Sequence, residues 1–381
     1  MKGFIRLTRS LVVMLAAVFL FVGTVEAAGH QTIWINYLYT TMSNSAIVIN
    51  GTTWVPLKKL ASDMSFNLTF EAATRSITLI RPGQQAKFQM GSKSGVVNGK
   101  SVSLSNSIRI IKNTAHVPLV SMVRALGATP LFEKESGNLQ IVDKPRFVSL
   151  SKAGRTYWVS QESGELYRML PTSAKPEMLS KFPIKPRTSG SLSIKQVSKD
   201  TDLVLLHSRY ISMFNEFDNS YQALISKDTV VKQMEYHYVG QYFKDQYGSK
   251  ISSTQIYMTD GLNVQYINQD GTLGKLYELE KSTENKGPFL VEYATPKILL
   301  VRSTSTTALV AMNLIKGTSE NLTQTLIPVE NRKEWDRADP NDPYVLSRML
   351  RLQADDGKEL TFTFTTLITD KANKERYKYA E

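Results

Sequence analysis

The feature that most constrains the fold of this chain is a hydrophobic pattern that occurs twice. The stretch TTWVPLKKLASDMSFNLTFE covers residues 52–71, and TAHVPLVSMVRALGATPLFE covers residues 114–133. The two stretches align without a gap. A unit of about 60 residues buries too little surface to be comfortably stable alone. We therefore expect the two copies, residues 47–80 and 109–142, to share one hydrophobic core.

Each copy predicts the same local structure. Apolar residues recur at positions i, i+3, i+4 and i+7 from Leu57 and again from Leu119, which gives a helix one apolar face. A proline precedes each leucine and suits the first turn of a helix, where its missing N–H costs nothing. Asn50-Gly51 favours a two-residue hairpin turn, because both positions of a type I′ turn need positive φ. Each copy is thus predicted to be a helix packed on short antiparallel hairpins.

These residues also carry a resemblance to a known family. The segments NGTTWVPLKKLA (50–61), VNGK (97–100) and HVPLVSMVRALGA (116–128) occur in the order typical of the bacterial copper amine oxidase N-terminal-like domain. The resembling domain spans residues 31–144. The resemblance implies export by a Gram-positive bacterium, often beside wall hydrolases or other extracellular domains. It does not imply amine oxidase activity, since this domain is not the catalytic part of the enzyme that names it.

The first 27 residues are predicted to be a secretory signal peptide. Lys2, Arg6 and Arg9 precede an uncharged apolar run at residues 11–23, and Val-Glu-Ala at residues 25–27 provides small side chains for cleavage. The alternative is an uncleaved membrane anchor, although this run is shorter than the about 20 residues that a span needs. We expect no other membrane span, and a secreted or extracellular location with cell-wall association.

The amino-acid composition restricts the kinds of reactive or metal-binding site and the kinds of partner that we expect. The chain contains no cysteine, which excludes disulfides, thiol nucleophiles and thiolate metal sites. The formal net charge is +12, and the first 27 residues carry three bases and one acid, so the remaining chain keeps about +10. Outside a cell, a basic surface meets anionic polymers rather than nucleic acid. The expected partner is a cell-wall polymer or an extracellular protein, unless the charge serves solubility alone.

From residue 146 to residue 370 the pattern changes to strands without a helical signal. Turns such as Asp260-Gly261 and Asp356-Gly357 separate alternating segments, and residues 202–226 are expected to form three strands. The final strands of successive units recur about every 50 residues, which is the scale of a propeller blade.

We therefore predict a mainly β chain: a small α+β N-terminal domain, then a five-bladed propeller-like domain. A β-sandwich or two small sheets is the alternative for the second domain. A solvated basic tail is predicted at residues 371–381.

Aromatic side chains with polar tips are the candidate binding residues, because such rings stack on sugars or form protein interfaces. The alternative is that they form the strand core. The candidates are Tyr157, Trp158, Tyr167, Tyr236, Tyr238 and Tyr242.

No catalytic residues, no cofactor and no firm metal site are predicted. The four histidines lack the spacing of known metal-binding motifs. One loop concentrates oxygen ligands that could hold calcium, although it lacks the glycine and the closing glutamate of an EF-hand. Its candidate ligands are Asp336, Asp339, Asn341 and Asp342.

Two functions remain open from the sequence. The first is an exported, non-enzymatic binding protein of the cell surface or cell wall, with a wall glycan, an anionic polymer or a protein as its ligand. The second is a propeller-type extracellular carbohydrate hydrolase with an accessory N-terminal domain. Its carboxylates would come from distant blades, and Glu162, Glu165 and Asp260 lie near turns.

Overall fold

The chain divides into two compact units, residues 1–144 and residues 145–381. The computed structural model describes residues 32–40, 42–184, 190–212, 215–240, 247–339 and 342–379. The predicted signal peptide, residues 1–27, lies outside the described residues. In the described part of the chain, no helix is both long enough and apolar enough to cross a membrane.

The part of the first unit that the structure describes combines short strands with two α-helices. The strands are β1 (Ile33–Ile35), β2 (Leu38–Tyr39), β3 (Ile47–Ile49), β4 (Thr52–Pro56), β5 (Asn67–Glu71), β6 (Ser76–Arg81), β7 (Gln84–Gln89), β8 (Ser94–Val97), β9 (Lys100–Ser103), β10 (Arg109–Ile111), β11 (Thr114–Pro118), β12 (Thr129–Phe132) and β13 (Leu139–Val142). The helices are α1 (Leu57–Asp63) and α2 (Leu119–Ala125), with a 3₁₀ helix at Ser43–Ser45.

Three sheets build this unit, in the strand orders β12-β13-β1-β2, β10-β11-β4-β3 and β5-β6-β7-β8-β9. The middle sheet joins the two copies, because β4 and β11 pair antiparallel with Val55 opposite Val117. These two valines occupy equivalent positions in the repeat. The shared core is confirmed, since the inward faces of α1 and α2 lie in one buried cluster with strands from both copies.

The predicted hairpin turns are also confirmed. Asn50 and Gly51 have φ values of 50° and 69°, as a type I′ turn requires. The equivalent Lys112 and Asn113 adopt φ values of 47° and 61° without a glycine. The repeat therefore imposes its turn geometry even where the second copy has less favourable residues.

A buried ion pair connects the two copies at Arg81 and Asp143. Arg81 Nη1 lies 2.6 Å from Asp143 Oδ2, and Arg81 Nη2 lies 2.8 Å from Asp143 Oδ1. Both side chains are at most 5% exposed. Arg81 also donates to the Met64 carbonyl oxygen at 3.1 Å and lies over the Phe66 ring. Arg81 and Asp143 are separated by 62 residues, which is the offset of the repeat, so they occupy equivalent positions directly after the two copies.

The second unit is a series of small antiparallel sheets. Its strands are β14 (Phe147–Lys152), β15 (Arg155–Ser160), β16 (Glu165–Met169), β17 (Glu177–Lys181), β18 (Ser191–Ser198), β19 (Thr201–Ser212), β20 (Asn215–Ser226), β21 (Thr229–Gly240), β22 (Ile256–Thr259), β23 (Asn263–Ile267), β24 (Leu273–Glu278), β25 (Phe289–Ala294), β26 (Ile298–Ser303), β27 (Leu309–Asn313), β28 (Thr318–Asn321), β29 (Arg351–Asp355), β30 (Glu359–Thr365) and β31 (Ala372–Lys378). Its helices are α3 (Leu279–Thr283), α4 (Leu322–Leu326), α5 (Val329–Arg337) and α6 (Pro343–Leu346).

These strands form five sheets in chain order: β14–β17, β18–β21, β22–β24, β25–β28 and β29–β31, which we call sheets I to V. Four hydrophobic clusters join sheet I to II, II to III, III to IV and IV to V. Each inner sheet is therefore packed on both faces. The prediction of a mainly β chain with a propeller-like second domain is confirmed.

Buried polar bonds reinforce these junctions. Gln222 of sheet II donates to the Thr259 carbonyl oxygen at 2.7 Å, at the junction with sheet III. Tyrosine hydroxyls supply three further links: Tyr157 to Asp202 Oδ2 (2.8 Å), Tyr266 to the Thr295 carbonyl oxygen (3.0 Å) and Tyr293 to Asp355 Oδ2 (2.9 Å).

Three sequence-based expectations for this unit are wrong. The unit is not built from strands alone, since α3 to α6 lie between or within the sheets. Residues 202–226 form two strands rather than three, because β19 and β20 continue for 12 residues each. Residues 371–379, the described part of the predicted tail, do not form a solvated tail: β31 pairs with β30 along its full length, and Tyr379 is only 3% exposed. Backbone pairing orders this segment although its strand residues are mostly polar.

Candidate functional site

The structure places most of the candidate aromatic residues in the core. Trp158 is 0% exposed, Tyr157 1%, Tyr236 6% and Tyr238 5%. Rings buried to this extent present no face to a ligand, so the strand-core alternative holds for these four. Tyr167 is half-buried and donates to Glu165 at 2.8 Å, and burial with this contact raises its pKa to about 12. Tyr242 lies outside the described residues.

Two of these tyrosines offer a stability test. Tyr157 donates to the carboxylate of Asp202, whereas the buried hydroxyl of Tyr236 has no hydrogen-bond partner among the residues that the structure describes. We expect Tyr236→Phe to raise the free energy of unfolding by about 1 kcal/mol, since an unsatisfied buried group is removed. We expect Tyr157→Phe to lower it by about 1.5–3 kcal/mol, since a hydrogen bond to a charged group is lost. Urea unfolding measures both, and destabilisation by Tyr236→Phe would show that its hydroxyl has a partner.

In the candidate calcium loop, the side chain of Asp342 has a structural role. Asp342 Oδ1 accepts from the backbone N–H of Tyr344 at 2.8 Å and caps α6. Asp339 is exposed. Asn341 and the side chain of Asp336 lie outside the described part. Among the described residues, no three histidine or acidic side chains come together as a metal site would require.

The carboxylates considered for hydrolysis each have local partners. Glu162 accepts from Arg146 Nε at 3.1 Å, and Glu165 accepts from the Tyr167 hydroxyl. Asp260 accepts from the backbone N–H of Asn263 at 2.6 Å, which shapes the turn before β23. These contacts give each carboxylate a structural role.

One arrangement that could bind a ligand lies on sheet II. Strands β19 to β21 have 12 residues each, whereas the strands of sheet III have four to six. At about 3.3 Å per residue, sheet II is longer by some six residues, or about 20 Å. Near one end, Leu203 and Leu224 pack on Met258 and Ile267 of sheet III. Further along, polar side chains replace the apolar ones.

Three of these polar side chains share one face of sheet II. His207 and Arg209 follow Leu203 at even spacing on β19, so they lie on the same face. Asp218 lies directly opposite Arg209 on β20. His207 Nε2 lies 2.6 Å from Asp218 Oδ1. The strand register thus sets one carboxylate between an imidazole and a guanidinium.

A cleft of about 590 Å³ opens at this face, and we call it the sheet II cleft. Its volume is within the range of ligand sites, about 300–1,000 Å³. The segment that leads into β22 closes one side with three serines and Lys250. The full lining is His207, Arg209, Asp218, Ser249, Lys250, Ile251, Ser252, Ser253, Tyr257 and Leu290.

The sequence contains a partial signal for this cleft. In the segment LLHSRY (205–210), His207 and Arg209 stand two residues apart. If this segment is a strand, both side chains lie on one face and make that face polar. The partner Asp218 could not be assigned, because the connection between β19 and β20 has no Asn-Gly or Asp-Gly turn to fix the register. The prediction of three strands for residues 202–226 also divided what is one long hairpin of β19 and β20.

Comparison with known proteins identifies the first unit. Residues 34–141 match the family model of the copper amine oxidase N-terminal domain. The first unit carries a copper amine oxidase N-terminal domain. The resemblance seen in the repeated motifs is thereby confirmed. The copper amine oxidase N-terminal domain covers under a third of the chain, so it does not describe the second unit. A search of curated proteins gave no match.

Solved structures with some similarity extend over both units. Apo AztD from Citrobacter koseri is 10% identical, covers 67% of this chain and 85% of its own, and gives a TM-score of 0.22. KlHsv2 with loop 6CD replaced by a Gly-Ser linker is 8% identical, with coverages of 82% and 98% and a TM-score of 0.21. A nidogen/laminin complex gives 10% identity, 72% and 87% coverage, and a TM-score of 0.18. At these scores, no functional argument follows.

Proposed function

We propose that this chain is an exported, non-enzymatic protein of the cell surface or cell wall that binds an anionic polymer. The observation that carries the proposal is the sheet II cleft. Its lining brings Arg209, Lys250 and His207 together with serine hydroxyls. Concave sites of this size with a few convergent polar groups are the usual form of ligand sites.

Two sequence features support the same function. The first 27 residues have the composition of a secretory signal peptide. The remaining chain has a formal net charge of about +10, which attracts polyanions over distances comparable with the Debye length. The cleft supplies a specific contact and the overall charge supplies general attraction, so both favour an anionic surface polymer as the partner.

Salt dependence tests the proposal. Full-length protein expressed in a Gram-positive host is expected in the wall fraction at about 0.1 M salt. It should be released into the medium at 1 M salt, because the Debye length falls from about 10 Å to about 3 Å. Fractionation with immunoblotting measures both steps, with an acidic exported protein as the control.

Each other outcome contradicts a different part of the proposal. Retention in the cytoplasm would show that the chain is not exported. Recovery in the medium at low salt would show that it does not bind the wall. Retention on the wall at 1 M salt would show that charge is not the cause of binding.

A further inference from the structure

An apolar groove of about 390 Å³ opens in the first unit, and we call it the α1 groove. It is lined by residues of α1, of the β5–β6 hairpin and of the β10–β11 hairpin. Phe70 of β5 lies opposite the buried Ile77 of β6, and Ile110 of β10 lies opposite Ala115 of β11. Phe70 and Ile110 are 55% and 57% exposed. The groove therefore presents apolar side chains to the solvent.

Two cations are the charged side chains among the described residues that line the groove. They are Lys58 of α1 and Arg75 of the turn between β5 and β6. Both are exposed, and neither side chain forms an ion pair or a hydrogen bond with another described residue. No acidic side chain is among the described lining residues. The groove thus combines apolar walls with two positive charges that have no partner in the described part of the chain.

The second copy of the repeat shows which of these features the fold itself requires. At the offset of 62 residues, Phe132 is equivalent to Phe70, and Val48 is equivalent to Ile110. Phe132 and Val48 are also exposed, by 59% and 43%. The exposed apolar pair therefore belongs to both copies.

The two cations belong to the first copy alone. Val120 stands at the position of Lys58, and Gly137 stands at the position of Arg75. Arg75 has a φ of 54° and Gly137 a φ of 71°, which is the left-handed region that favours glycine. The first copy thus holds an arginine where the backbone favours glycine, and its side chain stabilises no described contact. Residues held at such a cost are found at ligand sites.

The lining restricts the chemistry of a ligand. Apart from Lys58 and Arg75, the one polar side chain that lines the groove is Thr114. A sugar or a peptide carries polar groups in every unit, and polar groups that leave water without a partner cost free energy. The volume is near the lower end of the range for small-molecule sites, about 300–1,000 Å³. A single hydrocarbon chain meets both conditions, and the cations then contact an anionic head group.

We propose that the α1 groove binds an amphiphile that has one hydrocarbon chain and an anionic head group. Phe70 and Ile110 contact the chain, and Lys58 and Arg75 contact the head group. A carboxylate, a sulfate or a phosphate can each accept from an ammonium and a guanidinium, so the head group is defined by its charge. The site lies in the first unit and does not require the anionic polymer of the proposed function.

Calorimetric titration of the full-length protein with ten-carbon probes tests the role of charge. The probes are decanoate, decyl sulfate, decyl maltoside and decyltrimethylammonium at pH 8, each below its micelle concentration. The two anions are expected to bind on the order of tenfold more tightly than the neutral maltoside, because each meets two positive charges. The cation should bind more weakly than the maltoside. Equal affinities for all four probes would overturn the proposal.

Chain length tests the role of the apolar walls. Hexanoate carries the same head group as decanoate and four fewer methylene groups. It is expected to bind at least about tenfold more weakly, since less hydrocarbon leaves water. Equal binding of hexanoate and decanoate would show that the apolar walls do not contact the chain.

Variants that copy the second repeat assign the charge preference to residues. The double variant Lys58→Val/Arg75→Gly should bind decanoate no more tightly than decyl maltoside. Arg75→Gly places glycine at a positive φ, so thermal unfolding should show no loss of stability in that single variant. Lys100→Val removes a charge from an exposed position of β9 that does not line the groove, and it should keep the full preference. A preference that survives in the double variant would overturn the assignment.

An equivalent pair of substitutions assigns the chain contact. Phe70→Ser is expected to weaken decanoate binding by at least about fivefold, because apolar wall surface is lost. Phe132→Ser changes the equivalent exposed position of the second copy and should leave binding unchanged. Equal losses in the two variants would show that decanoate associates with apolar surface in general, which contradicts a site in the α1 groove.

A peptide is the other occupant that the experiment must distinguish. Strands β5 and β10 are edge strands of their sheets, and an extended peptide can pair with such an edge. A peptide of alternating glutamate and leucine is therefore titrated as well. Binding of this peptide to wild-type protein but not to Lys58→Val/Arg75→Gly, without binding of decanoate, would make the groove a peptide site and overturn the proposal.

Discussion

Arg81→Met is expected to lower the free energy of unfolding of the first unit by about 3–5 kcal/mol, because it leaves the buried carboxylate of Asp143 without its partner. The Met64 carbonyl oxygen loses a donor in the same change. Hydrogen exchange detected by mass spectrometry measures the effect within residues 55–142. Arg124→Met, at an exposed position of α2, is the matched control and should stay within about 0.5 kcal/mol.

The double variant Arg81→Met/Asp143→Leu should recover much of that loss. Apolar pairs of similar volume often replace buried ion pairs without cost. Beyond the pair itself, Arg81 donates to one backbone group, the Met64 carbonyl oxygen at 3.1 Å, and to the Gln84 side chain, whose Oε1 lies 2.9 Å from Arg81 Nε. If the double variant is less stable than Arg81→Met, the core around this pair does not accept apolar side chains.

Arg302→Met is expected to destabilise the second unit by a similar about 3–5 kcal/mol. Arg302 Nε lies 2.7 Å from Glu292 Oε1, and both side chains are 3% exposed. Arg302 also donates to the Leu350 carbonyl oxygen at 2.7 Å and to the Thr307 carbonyl oxygen at 2.9 Å. The second oxygen of Glu292 accepts from the Ser249 backbone N–H. Urea unfolding combined with hydrogen exchange in residues 289–313 measures the loss.

The double variant Arg302→Met/Glu292→Met should not recover this stability, unlike the apolar replacement in the first unit. Three backbone groups, from Ser249, Thr307 and Leu350, would lose their bonds. The bond of the Leu350 carbonyl oxygen is buried, so leaving that oxygen unsatisfied costs about 1–3 kcal/mol. Ser249 and Thr307 are part-buried and add a smaller loss. Stability equal to wild type would mean that these groups find other partners. The two double variants therefore compare a pair in which the arginine bonds one backbone group with a pair that bonds three.

The parts of the fold that sequence could predict depend on local chemistry. The apolar spacing from Leu57 and Leu119 predicted both described helices of the first unit. Asn50-Gly51 predicted the hairpin turn between β3 and β4. The scale of about 50 residues indicated the series of small sheets in the second unit. In each case the signal lies within a few residues or in a regular period, so it needs no knowledge of distant contacts.

The candidate binding residues could not be predicted from the sequence, because the exposure of a side chain depends on what covers its sheet. Consecutive residues Tyr157 and Trp158 are both buried, and all six residues of β26 are buried as well. In a sheet covered on both faces, a strand is apolar on both sides. The sequence of an aromatic-rich strand is therefore the same whether its rings contact a ligand or a neighbouring sheet. The cleft itself depends on the register that brings Asp218 opposite Arg209, which neither strand reveals alone.

The pairing of β4 with β11 has a consequence for the ancestry of the first unit. Two separate copies of a single repeat could form a symmetric homodimer through the same strands, since Val55 and Val117 are equivalent and face each other. A twofold axis would place the same residue at both equivalent positions, so a homodimer would bring two arginines or two aspartates together. The Arg81–Asp143 pair needs different residues at the two positions. A symmetric homodimer could not form this pair, so it became possible only once the two copies could differ in sequence.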